Sequence, residues 1–382
     1  MNRGDQEIMV KKKKVILLIA ILVIIIASIA LVSYFYMRTK IYTPVEPKLE
    51  VTPEVKEEIK YHEEKGITNI LLIGTDARTL DEAARSDSII IATIDGSNQK
   101  LKFTSIMRDT YVKIPGYSDQ KINAAYALGG AELLMKTIKE NFGVALDKYI
   151  VVNFWGFEDI VDAMGGLEID VKDYEIEEIN KYIGEVREDK SPPLEKAGLQ
   201  NLDGQQALAY SRIRKVGNGS YERTERQRHV LTLIATKARE ISPLKYPSVA
   251  NALLSCVKTN IEPAKLFDYG YTFYKFNPPT YDQLQIPINE LSQGGEFLDK
   301  GWVLLIDKEQ NGNAMKDFIF NDKKWDSSNY NNLSFKNVMS QYKNKQVQFD
   351  KVKEQQENVS LPDDRQKTQI NEDEEEKANL SD

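Results

Sequence analysis

Hydrophobic positions form one long apolar run near the N-terminus, followed by alternating short and long patterned segments. Short runs rich in β-branched and aromatic residues predict strands at residues 69–73, 88–94, 101–105, 149–154 and 167–171. Longer segments with apolar residues at helical spacing predict helices at residues 123–142, 155–164, 203–211 and 222–241. Because strands alternate with helices, we expect an α/β fold: a layered αβα domain with a central mixed sheet.

The long apolar run covers residues 15–37, which contain no charged side chain over 23 positions. At about 1.5 Å per residue, a helix of this length is ~34 Å long and spans a hydrocarbon layer of about 30 Å. Four lysines at residues 11–14 predict that residues 1–14 form a cytoplasmic tail, with the chain after residue 37 outside the cell membrane. The alternative, a cleaved signal peptide, is disfavoured because the run is long and lacks a clear cleavage site.

The remaining chain divides into three parts by composition. Residues 38–64 contain three prolines and few apolar residues, which predicts an extracellular stalk. Residues 65–345 carry the alternating pattern and predict one folded domain, although the pattern in residues 276–345 is hard to interpret. Residues 346–382 are rich in charged and polar side chains and predict a disordered acidic tail.

Composition excludes several classes of protein. Cys256 is the only cysteine, so the chain has neither an internal disulfide nor the cysteine pairs of a structural zinc site. With only His62 and His229 as histidines, a Ser-His-Asp or Cys-His enzyme is improbable. The net charge of −7 argues against a general nucleic-acid binder, for which a broad basic surface is expected.

Polar side chains cluster at the ends of the first three predicted strands. The motif NILLIGTDAR places Asp76 just after the first strand, and Arg85 and Asp87 stand just before the second. Arg108 and Asp109 follow the third. Ligands bind beyond strand ends in open α/β sheets, and two carboxylates at one edge suit Mg²⁺. On spacing alone, Asp76 and Asp87 are equally compatible with aspartates that cap turns.

The densest positive charge in this acidic chain lies at residues 210–228, YSRIRKVGNGSYERTERQR. Guanidinium groups suit bidentate contacts to phosphate. The segment holds five of them: Arg212, Arg214, Arg223, Arg226 and Arg228.

Helical phasing separates these arginines. At 100° per residue, Arg223 and Gln227 share the apolar, inward face of the last predicted helix, whereas Arg226 and Arg228 lie on its flanks. An inward arginine needs an anionic partner. The partner is either a ligand such as a pyrophosphate with Mg²⁺, or an internal carboxylate, Asp109 or Glu222.

Seven stretches, in this order, resemble the LytR-CpsA-Psr family of cell-envelope proteins. They cover most of residues 65–240: NILLIGTDAR, RSDSIIIATID, SIMRDTYVKIPGY, KINAAYALGGAELLMKTIKENFGV, YIVVNFWGFEDIVDAMGGLEIDV, GLQNLDGQQALAYSRIRK and RTERQRHVL. Two positions depart from the family pattern: Met107 stands where proline is usual, and Ser220 where aspartate is common.

The resemblance implies a catalytic domain at residues 65–345 of this single-pass protein. An anchored outer domain with a single cysteine is typical of a Gram-positive type envelope. It implies a phosphotransferase that moves an anionic glycopolymer, a teichoic acid or capsular polysaccharide, from a polyprenyl-pyrophosphate carrier to peptidoglycan muramic acid. An apolar tunnel for the polyprenyl chain is expected between sheet and helices. Two alternatives remain: a non-catalytic sensor or transcriptional attenuator that binds lipid-linked intermediates, and a polyprenyl-pyrophosphate hydrolase.

The resemblance also assigns roles to residues. Asp76 and Asp87 match the family's Mg²⁺-associated aspartates, which makes Mg²⁺ the expected cofactor. Asp87 is the candidate base for the acceptor hydroxyl, and Arg108 and Asp109 complete the expected catalytic set. The residues matching pyrophosphate-binding positions are Arg85, Arg108, Arg212, Arg214, Arg223 and Gln227.

Overall fold

The computed structural model describes residues 32–42 and 52–360, except residues 81, 83, 218, 243, 244, 246–248, 250, 251 and 253–256. The predicted cytoplasmic tail, most of the predicted membrane anchor and residues 361–382 of the predicted acidic tail lie outside these residues. Within the described part, no helix has the length and apolar character needed to cross a bilayer.

A six-stranded mixed sheet forms the centre of the domain. Its strands in chain order are β1 (Ile67–Thr75), β2 (Ser86–Asp95), β3 (Lys100–Ile106), β6 (Tyr149–Asn153), β9 (Val257–Thr259) and β10 (Thr280–Ile286). Their spatial order is β10-β3-β2-β1-β6-β9, with the β1–β6 and β10–β3 pairs parallel and the other neighbours antiparallel. Three small two-stranded antiparallel sheets contain the other strands: β4 (Tyr111–Val112) with β5 (Gln120–Lys121), β7 (Leu167–Val171) with β8 (Gly198–Leu202), and β11 (Ser292–Glu296) with β12 (Trp302–Ile306).

Helices cover both faces of the sheet. Their bounds are 32–41 for the described part of α1, then α2 (Pro53–Glu64), α3 (Asn123–Phe142), α4 (Phe154–Met164), α5 (Ile176–Tyr182), α6 (Gly204–Arg212), α7 (Ser220–Glu240), α8 (Pro263–Tyr274), α9 (Lys308–Phe320) and α10 (Asn332–Ser360). Apolar residues of α3 and α9 pack on one face, and residues of α7 and α8 on the other. A further core joins α4–α7 to the β7–β8 pair. The predicted α/β fold with a central mixed sheet is confirmed.

Strand directions bring distant parts of the chain to one end of the sheet. β1, β3 and β6 end there, and the antiparallel β2 begins there. We call this the upper end, defined by Thr75, Asp87, Ile106 and Asn153. The opposite, lower end is defined by Ile67, Asp95, Lys100 and Thr280.

Two predicted segment boundaries differ from the structure. The second half of the predicted stalk is α2, which packs on the domain: the His62 ring stacks on Phe320, with ring centres 3.8 Å apart. The predicted tail from residue 346 is also wrong for residues 346–360, which continue α10. This helix is held by Tyr342, which contacts the rings of Tyr111 and Phe297. The sequence pattern did not predict these two helical segments because they are mostly polar and each packs only a few apolar side chains on the domain.

Candidate active site

A cavity of about 420 Å³ lies between the upper half of the sheet and helices α4, α6 and α7. Its charged and amide lining contains six residues that the sequence predicted as a site, from segments more than 100 positions apart: Asp87, Arg108, Arg212, Arg214, Arg223 and Gln227. Folding therefore brings these six predicted residues together around one cavity.

The rest of the cavity wall is apolar. The change from polar to apolar follows α7, whose successive turns contribute Arg223, Gln227, Leu231 and Ile234. Val230 of α7 and residues of strands and other helices add further apolar side chains: Leu72, Ile90, Phe157, Ile160 and Leu208. The cavity thus joins a cationic end to an apolar channel, which suits an amphiphilic anion.

A β-bulge sets Asp87 apart from its neighbours. Gly74 pairs with Ser88 and Thr75 pairs with Ser86, which leaves Asp87 as the extra residue of β2. Bulges bend a strand and redirect a side chain, often beside active sites. The Asp87 carboxylate lines the cavity and accepts a hydrogen bond from Nη1 of Arg108.

Arg108 follows β3 and has two carboxylate neighbours. Besides Asp87, it lies near Asp109, whose Oδ2 is 3.6 Å from Nε of Arg108. This Nε is buried and has no hydrogen-bond partner among the described residues. Arg108 therefore keeps a donor for a ligand even while it is paired with Asp87.

Arg212 ends α6 and is held by aromatic rings. Its guanidinium carbon lies 4.8 Å from the ring centre of Phe154 and 5.2 Å from that of Tyr182, both within range of cation–π attraction. Nη2 pairs with Oε2 of Glu185 at 2.9 Å. Its buried Nη1 has no partner within the described part of the chain. The rings orient the guanidinium and leave one donor free.

Arg223 is the most unusual charge in the cavity because it is 5% exposed and none of the described carboxylates forms an ion pair with it. Its Nε also has no hydrogen-bond partner in that part of the structure. Burial, reinforced by the charges of Arg214 and Arg108, lowers the pKa of Arg223 to about 10. Burial, and to a smaller extent the charge of Arg108, also lowers the pKa of Arg214. The guanidinium groups stay charged at neutral pH, so the cluster favours an anion between them.

Neighbouring arginines on α7 have structural roles instead. Arg226 donates from Nε to Oε1 of Glu175 at 2.8 Å and also pairs with Glu222. Arg228 bonds to Ser105 and to Oε1 of Gln283. Both are buried because adjacent elements cover the flanks of the helix. Glu222, one predicted internal partner of the inward arginine, therefore pairs with Arg226.

Three predicted site residues do not line the cavity. Asp76 and Arg85 are exposed beside the upper end of the sheet, just beyond the paired residues Thr75 and Ser86. Asp109 is buried, with Oδ1 3.3 Å from Nζ of Lys121. This places Asp109 next to Arg108 as a neighbour that orients it.

Some lining residues escaped the sequence analysis. Asn153 ends β6 and caps α4 by accepting a hydrogen bond from the backbone N–H of Gly156 at 2.9 Å. An asparagine between a strand pattern and a helix pattern is a recognisable cap, so this signal was present. Tyr182 and Ser211 carry no such local signal.

The carboxylates are compatible with a magnesium ion. No group of three or more acidic, histidine or cysteine residues gathers as a metal cage within the described ranges. Mg²⁺ generally binds one or two carboxylates together with substrate phosphates and water. Asp87 in the cavity and Asp76 beside the same bulge fit such an arrangement, in which the ligand supplies phosphate oxygens.

The sequence model of the LytR_cpsA_psr family matches residues 33–318. The chain belongs to the LytR-CpsA-Psr family. It is 35% identical over 260 residues to the regulatory protein MsrR of Staphylococcus aureus strain COL, covering 67% of this chain and 76% of MsrR. It is 36% identical over 222 residues to the polyisoprenyl-teichoic acid–peptidoglycan teichoic acid transferase TagU of Bacillus mycoides, covering 57% of this chain and 68% of TagU.

The fold is similar to that of a solved family structure. YwtF (TagT) with bound octaprenyl pyrophosphate lipid superimposes with a TM-score of 0.52 at 27% identity, covering 67% of this chain and 90% of that one. The predicted family resemblance is thus confirmed by sequence and by fold.

Proposed function

We propose that this protein is a membrane-anchored phosphotransferase that attaches an anionic glycopolymer to peptidoglycan from a polyprenyl-pyrophosphate carrier. The observation that carries the proposal is one cavity with an apolar channel at one end and, at the other, buried guanidinium donors that have no hydrogen-bond partner among the described residues. A pyrophosphate with a polyprenyl tail has this division of charge and apolar surface. The teichoic acid transferase activity for which TagU is named and the octaprenyl pyrophosphate lipid bound to TagT support the same function.

Binding of the donor follows from the wall of the cavity. Arg108, Arg212 and Arg223 each have a buried donor to give to phosphate oxygens, and the apolar turns of α7 face the tail. The donor pyrophosphate would lie at the upper end of the sheet, with its tail along the sheet face. Closely spaced cations offset the charge that develops on the phosphoryl oxygens during transfer.

Transfer is a substitution at phosphorus. The muramic-acid hydroxyl forms a bond to the sugar-proximal phosphorus, the bond from that phosphorus to polyprenyl phosphate breaks, and one phosphate remains in the new linkage. Asp87, which lines the cavity at the bulge, would accept the hydroxyl proton. Asp87 and Asp76 would hold Mg²⁺, which supplies further charge neutralisation when bound.

Product analysis separates this proposal from two alternatives. We expect the full chain in detergent micelles, given a labelled lipid-linked donor and wall oligosaccharide, to join polymer to glycan. Release of free polymer phosphate would indicate a hydrolase instead. Binding without reaction would favour a sensor, a function consistent with the name of MsrR as a regulatory protein.

Replacement of Arg212 by alanine is expected to lower transfer about 100-fold, because one positioned cationic donor is lost. The matched control is Glu185→Gln, which removes the ion pair at Nη2 but keeps the guanidinium between Phe154 and Tyr182. The control should retain most of the activity. Equal losses in both variants would contradict a phosphate-binding role for Arg212.

Replacement of Asp76 by alanine tests the metal. We expect a higher Mg²⁺ concentration to be needed for half-maximal transfer, because a carboxylate ligand is lost. Titration of Mg²⁺ against initial rate in both proteins measures the shift. Undiminished activity of the parent protein in chelator, with an Asp76 variant that behaves identically, would exclude the proposed metal role.

A further inference from the structure

Helix α8 exposes a stripe of aromatic side chains. Phe267, Tyr271 and Tyr274 are 62%, 59% and 56% exposed, among the largest exposed apolar side chains of the domain. At 100° per residue the three lie within about 60° of arc on one face of the helix. The opposite face packs into the domain through Leu266 and Phe273. α8 is thus amphipathic, with an aromatic outer face.

Helix α8 lies toward the lower end of the sheet, away from the arginine cluster. It starts after β9, at one edge of the sheet, and leads to β10, at the other edge, whose first residue lies at the lower end. Arg239, near the end of α7, donates to the backbone oxygens of Tyr274 and Phe276. α8 therefore crosses the sheet face where α7 ends, on the side away from the arginine cluster.

The chain emerging from the predicted anchor contacts the start of α8. Arg38, one residue beyond the predicted span, pairs with Oε1 of Glu262 at 3.1 Å, and the Tyr34 hydroxyl donates to Oε2 of Glu262 at 3.2 Å. Tyr42 forms a β-bridge with Thr259. Glu262 is the N-cap residue of α8. Since a 12-residue helix is about 18 Å long, every residue of α8 lies within about 18 Å of this contact with the predicted anchor.

The side chains on the outer face of α8 suit the lipid headgroup region of a membrane. Phenylalanine and tyrosine favour the membrane interface because their rings are apolar and the tyrosine hydroxyl remains hydrated. Lys275 extends the face, with Nζ 4.2 Å from the ring centre of Tyr271. No carboxylate lies among the three rings; Asp268, about 100° from Phe267, lies at the margin. A soluble domain rarely leaves such a face uncovered.

We propose that the outer face of α8, formed by Phe267, Tyr271 and Tyr274, inserts into the outer leaflet of the membrane. The lower end of the sheet would then rest on the bilayer, and the arginine cluster would point away from it, toward the wall. The cavity channel would run from the membrane side to the cluster. The inference rests on the predicted anchor at residues 15–37 and does not depend on which reaction the site performs.

Depth-dependent fluorescence quenching tests this placement in the full chain. In a Cys256→Ser background, Tyr271→Cys carries an environment-sensitive fluorophore, and the protein is reconstituted into liposomes of phosphatidylglycerol and phosphatidylethanolamine. The matched control is Tyr117→Cys, because Tyr117 is 50% exposed in the loop between β4 and β5, near the upper end. We expect shallow nitroxide lipids to quench the Tyr271 label about threefold more strongly than the Tyr117 label.

Each other outcome overturns the proposal. Equal quenching at both positions would show that α8 stays in water. A blue-shifted Tyr271 label without lipid quenching would show that a protein surface, such as a second copy, covers the face. Failure of the chain to float with liposomes would remove the anchor on which the placement depends. If the Tyr271 variant melts below the parent, the label at Phe267→Cys provides the same comparison.

Discussion

Replacement of Arg223 by methionine is expected to lower transfer by about 10²–10³-fold without a loss of stability. Arg223 is buried, its pKa is depressed by burial and by Arg214 and Arg108, and its Nε lacks a partner among the described residues. Removing a buried charge without an ion-pair partner relieves desolvation and repulsion in the unliganded protein. We expect the free energy of unfolding to rise by about 0.5–2 kcal/mol, as is usual for sites strained for function.

The control is Arg226→Met, one turn of α7 away. Arg226 is equally buried, but it holds Glu175, itself 3% exposed, and Glu222. Removing one partner of a buried ion pair costs about 3–5 kcal/mol. Urea unfolding of the full chain in detergent micelles, followed by tryptophan fluorescence, should therefore give shifts of opposite sign. A destabilised Arg223→Met protein would contradict the assignment of this arginine to an anionic ligand.

Replacement of Lys102 by methionine is expected to lower the free energy of unfolding by about 3–5 kcal/mol. Lys102 is fully buried on β3, with Nζ 2.8 Å from Oδ2 of Asp95 and 3.1 Å from Oδ1 of Asp322. Nζ also donates to the backbone oxygens of Phe318 and Ile319, at the end of α9. The variant leaves the Asp95 carboxylate buried without its cation, and α9 loses these two polar contacts to the sheet.

The pH dependence of stability tests the same network. Burial by itself would raise the pKa of Asp95, but hydrogen bonds from Asn98 and Lys102 lower it below its ordinary value. A carboxylate with a lowered pKa stabilises the fold above its unfolded pKa, near 4, and this contribution is lost as pH falls through the folded pKa. We expect parent stability to fall below about pH 4.

A double variant distinguishes lost charge pairing from lost volume. Lys102→Met with Asp95→Asn removes both buried charges and should recover part of the stability lost in the single variant, because no buried carboxylate remains without its cation. Urea unfolding at neutral pH measures the recovery. A double variant less stable than Lys102→Met alone would show that packing, rather than the ion pair, dominates at this position.

Strong local patterns made much of the fold predictable. The strand 167–171 occurs with the predicted bounds because its apolar residues alternate regularly between flanking glycine and lysine. The helix 123–142 also begins and ends as predicted, but it is kinked at Gly129 and Gly130, whose backbone angles are not helical. Two strands with weak sequence patterns were not predicted. β11, Ser292–Glu296, is polar and glycine-rich, and β9 is three residues long, so neither carries enough apolar side chains to be recognised.

The sequence predicted most of the residues at the site, but not which of them face the cavity. Arg108, Arg212 and Arg223 were identified from residue type and family resemblance, and they do line one cavity. Asp76 and Arg85 belong to the same motifs, yet they lie outside the lining. Whether a motif side chain faces a cavity depends on bulges and strand pairing, as at Asp87, which one-dimensional spacing does not encode.

Local chemistry along the chain determined the α/β class, the family, the apolar anchor pattern and the arginines available for phosphate, because each depends on neighbours within a few turns or strands. Tertiary structure alone decided which arginines are free. On α7, Arg223 and Arg226 have the same side chain and nearly the same burial, and Glu222 on the same helix lies within one turn of both. Only Arg226 also meets Glu175, which the fold brings there from 51 positions away. The difference between a ligand-binding charge and a structural one lies in partners that are distant in sequence.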